Sequence, residues 1–456
     1  MIVYDLVVIG GGPAGQKAAV QAAKAGKRAI LIDREAHAGG ACVRYGTIPS
    51  KTLRETAVAF DSFARKTGGV IETKVPANIQ LESLMTRLDH VVRGNEQYLT
   101  AQLQRNNVEV WRGRARFVSP NEVEVTGLRG EHTRIAGTSI VVATGSSPRV
   151  PTDVPIDHEH VLDSDSILSL AWLPRSLIVV GGGVIASEYA SIFAALGTKV
   201  TMIDAAPRPL AFLDPELVRV FANSFERMHG SFIGGRRTKR VAWNGLDHVD
   251  VTLDDGTALT AEKLLFALGR TANLDGLDVA AAGLAPGPRG TLEVDADFRT
   301  KVPHIYAVGD VIGPPALAAT AMEQGRRAAC HALGIDPGGR GELVPIGVYT
   351  VPEMASVGLD ESSGGMVGRA KFDELARGRI AGAEGGLLKL VADAAGRKVT
   401  GVQVAGDGAT ELVHVGQMAI AGNLDVDVFV ENALNFPTLA EAYRVAALDI
   451  INRRPR

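Results

Sequence analysis

A chain of 456 residues is about three times the usual domain length, so two or three domains with filled cores are expected instead of one. Hydrophobic residues at 46%, charged residues at 22% and 52 glycines exclude a disordered or fibrous chain and point to many tight turns. The formal net charge of -3, with both signs interspersed, offers no basic stripe for nucleic acid and no polybasic anchor for a membrane.

In chain order, the first predicted strand is Tyr4-Asp5-Leu6-Val7-Val8-Ile9, ending in Gly10-Gly11-Gly12-Pro13-Ala14-Gly15. An alanine-rich helical stretch follows to Gly26, then a second strand from Arg28 to Ile32 that closes on Asp33. Strand, glycine turn, helix, strand and acid in that order form the βαβ dinucleotide fingerprint in its required context. The glycine cluster begins at Gly10 and leaves no room before it for a secretory leader, and no run of about 18 apolar residues follows. A cytoplasmic protein without membrane contact is expected. Two cysteines, Cys42 and Cys330, cannot build a disulfide framework and are expected as thiols. No metal is expected.

The same order returns at Ser176-Leu177-Ile178-Val179-Val180, with the turn Gly181-Gly182-Gly183-Val184-Ile185-Ala186, a helix to Gly197 and a strand from Lys199 to Ile203 closing on Asp204. Asp33 lies 23 positions after Gly10, and Asp204 lies 23 positions after Gly181. The chain therefore carries two nucleotide-binding units in tandem. In each, the first glycine (Gly10, Gly181) permits the tight turn and the second (Gly12, Gly183) admits a pyrophosphate. The third position (Gly15, Ala186) lets helix pack on strand. The helix N-terminus then meets the phosphates with free N-H groups and a positive dipole. One glycine turn alone is weak evidence, because such turns are common; two in matching context are not.

Between the units the pattern predicts a helix from Leu81 to Gln104 and short strands from Val108 to Val125. A buried strand, Ile140-Val141-Val142-Ala143, then ends in Thr144-Gly145. After the second unit, Leu264 to Gly269-Arg270 has the same shape, and Ile305-Tyr306-Ala307-Val308-Gly309-Asp310 is a third apolar strand ending in glycine and acid. Taken from the strand alone, Asp310 is equally a plain turn residue or a ligand of a sugar-like chain. The last stretch, Glu342 to Arg456, mixes strands at Leu387 to Val391 and Thr400 to Ala405 with helices at Thr410 to Ala421 and Ala440 to Asn452. It reads as a separate α+β domain for packing or subunit association.

These motifs, together with Gly39-Gly40-Ala41-Cys42 through Ile48-Pro49-Ser50-Lys51, resemble the flavoprotein disulfide reductase superfamily over nearly the whole chain. The resemblance implies an α/β fold with two Rossmann-like domains and a C-terminal α+β interface domain. An FAD-binding domain (1-148 and 271-340) is split around an NAD(P)-binding domain (149-270), and 341-456 form the interface of a homodimer or larger assembly. It implies FAD contacts at Gly10, Gly12, Gly15, Asp33, Cys42, Lys51, Ala115, Thr144, Gly145, Asp310 and Ala318. Asp310 becomes a ligand of the ribityl chain. For NAD(P) it implies Gly181, Gly183, Ala186, Glu188, Asp204 and Gly269.

The superfamily's disulfide enzymes carry two cysteines beside the flavin and a histidine from the partner subunit. Here Thr47 stands at the second cysteine position, and Phe436 stands before Pro437 where the histidine would be. A hydroxyl cannot form a disulfide and a phenyl ring cannot exchange protons. Cys42 is then read as a small packed residue beside the isoalloxazine, with a lone redox thiol as the alternative, and Cys330 as a core residue.

In finer detail, Gly46-Thr47-Ile48-Pro49-Ser50-Lys51, Asp163 to Leu168, Ala211-Phe212-Leu213-Asp214 and Phe436 to Arg444 resemble the soluble pyridine nucleotide transhydrogenases. The stretch Asp360 to Val367 is shorter than that family's linker. The resemblance implies hydride transfer from NADPH to flavin and then to NAD+, with ping-pong kinetics. Lys51 and Glu188 are expected to meet near flavin N5, with Thr47 beside them. The lysine would stabilise the anionic reduced flavin and the carboxylate would orient it. Asp204 fits NAD(H) and repels a 2'-phosphate; Arg208 in the following loop is the nearest cation to receive that phosphate, and is equally read as a solvated arginine. An NADH-dependent diaphorase or quinone reductase fits the same losses, and a dihydrolipoamide dehydrogenase-like enzyme or a non-catalytic flavoprotein scaffold remain further alternatives.

Overall fold

The computed structural model describes residues 2-67, 81-339, 341, 343-383 and 385-455. Glu342 and Arg456, the bounds of the last expected stretch, lie outside the described residues. The chain divides into two compact units, one of Met1-Thr52, Met85-Arg149 and Gly269-Gly339, the other of Leu53-Leu84, Val150-Leu268 and Arg340-Arg456.

The first unit is built on a parallel core of strands in the order Glu109-Arg112, Ala29-Asp33, Ile2-Ile9, His132-Val142, with Ile305-Ala307 also parallel to His132-Val142. Leu6, Val7 and Val8 are each fully buried. An apolar run without alternation is what a parallel strand covered on both faces requires. Glu122-Thr126 and Arg114-Ser119 extend the sheet as an antiparallel meander. On one face the helices Pro13-Lys24 and Ala318-Ala332 pack through Ala14, Ala18, Ala22, Ala328 and Ala329. Their approach is so close that a side chain at Gly325 would lie 2.0 Å from the Ala14 carbonyl oxygen.

In the second unit a fully parallel sheet runs Ser231-Gly234, Lys199-Asp204, Ser176-Val180, Lys263-Phe266, Val161-Asp163. A three-stranded antiparallel ribbon (Thr238-Trp243, Val249-Leu253, Ala258-Ala261) covers it through Val241, Val249, Val251 and Leu253. The C-terminal part is an antiparallel sheet of Ile346-Val348, Met354-Gly358, Val399-Ala405, Leu387-Ala392 and Val367-Lys371, backed by the helices Ala409-Ala421 and Glu441-Arg453. The fold is thus α/β, with two Rossmann-like sheets and a C-terminal α+β portion. The helix expected from Leu81 to Gln104 spans Leu81-Arg105. Among the described residues no helix is long and apolar enough to cross a membrane.

Inside the second unit a buried cation ties the nucleotide-type sheet to the C-terminal sheet. Lys389, 1% exposed on the otherwise apolar strand Leu387-Ala392, donates to Asp214 Oδ2 at 2.7 Å, and to Glu216 Oε1 and Glu361 Oε2 at 2.8 Å. Asp214 also caps the helix Pro215-Arg227 by accepting from the Glu216 and Leu217 amides. Burial alone would lower the lysine's pKa, but the three carboxylates outweigh it and raise it. Arg369 and then Lys389 hold the Glu216 carboxyl down at about 2.

Replacing Lys389 by Met leaves buried Asp214 without its cation and Glu216 and Glu361 with Arg369 alone, so unfolding in urea is expected to show a loss of about 3 kcal/mol or more. The contribution of Glu216 to stability is full above its ordinary value of 4.5 and is lost as pH falls through about 2. That of Lys389 is full below 10.5 and is lost as pH rises through its elevated value. The wild-type Tm is therefore expected to fall at both extremes, and to fall less steeply in the Met variant.

Candidate functional site

The two glycine turns share the constraint at their first position. Gly10 sits at φ +108°, and a side chain there would lie 2.3 Å from the Ala143 carbonyl oxygen; Gly181, at φ +128°, would meet Ala267 O at 2.6 Å. In both, the turn passes against the end of the neighbouring strand, where only glycine fits. Gly15 is excluded from bearing a side chain by Gly10 O at 1.9 Å, whereas Ala186 is tolerated, 3.4 Å from a side chain placed at Gly181. The middle glycines differ in kind. A Cβ on Gly12 would meet nothing nearer than 4.0 Å, and one on Gly183 would meet nothing within 4 Å. Protein packing does not require these two glycines, and the space they leave suits a pyrophosphate. The helices that follow, Pro13-Lys24 and Val184-Ala195, have no side-chain cap, so their first-turn N-H groups stay available for phosphate oxygens.

The terminal acids are held alike. Asp33 accepts from Gly11 N-H at 2.6 Å and Glu35 N-H at 2.9 Å. Asp204 accepts from Gly182 N-H and Ala206 N-H, both at 2.6 Å. An ionised carboxylate has about four acceptor positions, so each keeps room for ribose hydroxyls. Burial raises the pKa of Asp33 against the lowering effect of these amides.

In the first unit several of the residues expected to contact a flavin follow the ends of the central strands. Asp310, in the short turn Gly309-Ile312, accepts from Ser146 Oγ at 2.7 Å, and Ser146 Oγ accepts from Arg270 Nε at 2.8 Å. Asn273 donates to Thr144 O at 3.0 Å and accepts from Ser147 Oγ at 2.6 Å. Thr144 Oγ1 is buried and has no partner among the described residues, which fits a bound group with a polar edge. Cys42 lies on the short helix Gly40-Arg44 and Thr47 begins the helix Thr47-Thr67, which also carries the half-buried Lys51. Burial raises the Cys42 pKa, against a hydrogen bond to Thr47 and the charge of Lys51. Cys42 and Cys330 are both free. Gly145, at φ +72°, follows Thr144; Ala115 is half-buried on the meander, and Ala318 opens its helix.

In the second unit Glu188 is 5% exposed on Val184-Ala195 and accepts from the Tyr349 amide at 2.9 Å. One turn on, Ser191 Oγ accepts from the Val351 amide at 3.1 Å. The main chain of the C-terminal part therefore fixes this carboxylate. Lys51 belongs to the first unit and Glu188 to the second. Gly269, at φ +103°, falls in the first unit, with its carbonyl accepting from Arg149 N-H at 3.0 Å. Arg208 is half-buried, and its guanidinium donates to Ala211 O at 2.8 Å and Leu213 O at 3.1 Å. Phe436 is 66% exposed. Asn273 and Tyr349 had no motif to announce them; Ser146 follows the Thr144-Gly145 strand end, Ser191 lies on the second fingerprint helix and Arg270 closes the Leu264 to Gly269-Arg270 segment, but none of the three was read as a site residue.

Residues 4-325 match the family model described as pyridine nucleotide-disulphide oxidoreductase, and residues 344-447 match that family's dimerisation domain. Proteins named soluble pyridine nucleotide transhydrogenase from Mycobacterium tuberculosis and Hahella chejuensis are 44% and 41% identical to the chain, over 99% of it and 97% and 98% of their own lengths. Among solved structures, LpdA from Mycobacterium tuberculosis has a TM-score of 0.90 at 28% identity, covering 98% of this chain and 99% of that one. The HOCl-induced flavoprotein disulfide reductase RclA from Escherichia coli has a TM-score of 0.87 at 27% identity, with the same coverage.

The glycine geometry separates two variants. Gly15→Ala collides with main chain and is expected to yield colourless or insoluble protein. Gly183→Ala, with open space around it, is expected to fold and keep its flavin, while its affinity for nicotinamide nucleotides in a fluorescence titration falls about tenfold or more, from the lost backbone approach. At pH 7, iodoacetamide is expected to label Cys42 more slowly than a free cysteine peptide, as followed by mass spectrometry, because the thiolate is disfavoured.

Proposed function

The chain belongs to the pyridine nucleotide-disulphide oxidoreductase family and, within it, to the soluble pyridine nucleotide transhydrogenases, and from that premise we propose how its residues serve hydride transfer between NADPH and NAD+. Residues 1-148 and 271-340 hold FAD, 149-270 take the two nicotinamide nucleotides in turn, and 341-456 join two copies of the chain. One observation carries this reading: the second glycine cradle is complete, while Cys42 has the hydroxyl of Thr47 as its hydrogen-bonding neighbour. The machinery for a disulfide substrate is missing and that for a second nucleotide is intact.

FAD, when bound, supplies the chemistry by accepting hydride from one nicotinamide nucleotide and returning it to another. The protein positions and polarises. The Gly10-Gly15 turn and the helix behind it bind the pyrophosphate, and Asp33 orients the adenosine ribose. Asp310, steadied by Ser146 and Arg270, holds a ribityl hydroxyl, and Thr144 Oγ1 gains the partner it lacks within the protein. Cys42 stays a neutral thiol, packed and unreactive. Lys51 presents a fixed cation to the redox centre. Glu188, locked by the Tyr349 amide, is a fixed carboxylate on the nucleotide-side helix. Cytoplasmic location accords with this chemistry, since both nucleotide pools are found there.

Asp204 favours a second reading, NADH-dependent reduction of a quinone, oxygen or dye, because a carboxylate at that place disfavours a 2'-phosphate.

Purified yellow protein given NADPH and thio-NAD+ is expected to reduce the analogue, with parallel double-reciprocal plots. Failure there, with retained reduction of a quinone by NADH, would establish the second reading instead. Lys51→Met is expected to slow flavin bleaching by NADPH in stopped flow by about tenfold or more, as for removal of a preorganised charge; an unaltered rate removes Lys51 from the mechanism.

A further inference from the structure

Transfer between the two nucleotides requires that NADP(H) bind beside Asp204, and the following inference rests on that reading. A 2'-phosphate there needs a cation, and Arg208 is committed to the carbonyls of Ala211 and Leu213. The edge strand supplies others. Ser231-Gly234 runs parallel to Lys199-Asp204 with Gly234 directly opposite Asp204, so its carboxyl end opens on the side of the sheet where dinucleotides bind.

The loop beyond that strand is stitched to the acid's own loop. Gly235 N-H donates to Ala206 O and Arg236 N-H donates to Asp204 O, both at 3.1 Å. A side chain at Gly234 would lie 2.6 Å from the Pro207 carbonyl oxygen, so glycine is what allows the two loops to close on each other. From the far side, Asp254 N-H donates to Arg237 O at 2.9 Å. Main chain thus fixes Arg236 and Arg237 next to Asp204. Arg236 Nε is paired with Asp255 Oδ2 at 2.6 Å. Arg237 is exposed and makes no ion pair among the described residues. With Lys239 and Arg240, also exposed, positions 236-240 hold four cations in five residues.

We propose that Arg237, backed by Arg236, is the receptor for the 2'-phosphate of NADP(H), while Asp204 receives the ribose of NAD(H). One cradle then accepts both nucleotides through two different groups. A guanidinium offers a phosphate monoester two parallel N-H donors, which a lone ammonium cannot. The Gly182 and Ala206 amides, each 2.6 Å from an Asp204 oxygen, offset part of the negative charge the phosphate would otherwise face.

The test compares adenosine 2',5'-bisphosphate with 5'-AMP, which differ by the phosphate in question, in calorimetric titration of the flavin-loaded protein. Arg237→Ala is expected to weaken the bisphosphate about tenfold or more and AMP less than about twofold, with Arg237→Lys in between. Arg208→Ala is expected to leave the ratio of the two affinities near that of the unaltered protein. A bisphosphate affinity unchanged in Arg237→Ala, or a larger loss of the ratio in Arg208→Ala, overturns the assignment. If the unaltered protein also moves hydride from NADPH to thio-NAD+, only the receptor is wrong. If the unaltered protein binds the bisphosphate no better than AMP and fails to use NADPH, both the receptor and the transfer reading fall.

Discussion

Both nucleotide-binding halves depend on main chain touching main chain at the end of a central strand. At Gly10 and at Gly181 the turn after the first strand passes so close to the neighbouring strand's last carbonyl that no side chain can stand between them. That closeness sets the helix down with its N-terminus facing outward and brings the terminal acid under the turn, where Gly11 and Gly182 donate to it at the same 2.6 Å. The uncapped helix amides, the carboxylate bonded under the turn and the open space at the middle glycine follow from one steric fact. Their repetition in both halves also explains why one protein can hold one nucleotide as resident and exchange another: the cradle is the same, and what surrounds it differs.

What surrounds it is where the chemistry of a disulfide reductase has been removed. A half-buried thiol whose pKa is raised, with a threonine hydroxyl as its neighbour, has no cysteine beside it to pair with and is disfavoured as a thiolate nucleophile. Around the expected flavin site, polar groups form hydrogen-bonded chains such as Arg270 to Ser146 to Asp310. The donor and acceptor are therefore expected to be molecules that fit a dinucleotide cradle.

The features legible in the sequence are those in which a short segment must satisfy a steric demand by itself. The glycine turns, the apolar parallel strands, the terminal acids and the long helix from Leu81 all announce themselves within a few residues. Ser146 could not, because its partners Arg270 and Asp310 lie 124 and 164 positions away. The same holds for Glu188, which is plain as part of a fingerprint helix while its anchor, the Tyr349 amide, is 161 positions on. Arg208 shows the converse: proximity in sequence to Asp204 suggested a role, while its guanidinium is bonded to carbonyls of its own loop. The antiparallel ribbon from Thr238 to Ala261 left little trace, since short alternating strands on one covered face carry weak periodicity.

The anchoring of Glu188 by the Tyr349 amide, with Ser191 bound to Val351, has a bearing on how this protein can be re-engineered. A carboxylate in the nucleotide-type half takes its orientation from the backbone of the C-terminal half, and Lys389 bolts the same two halves together through Asp214 and Glu216. A chimera that grafts residues 149-270 from a relative would import the glycine cradle but break both attachments unless the sheet from Ile346 onward came with it. The smallest transplantable module is the pair.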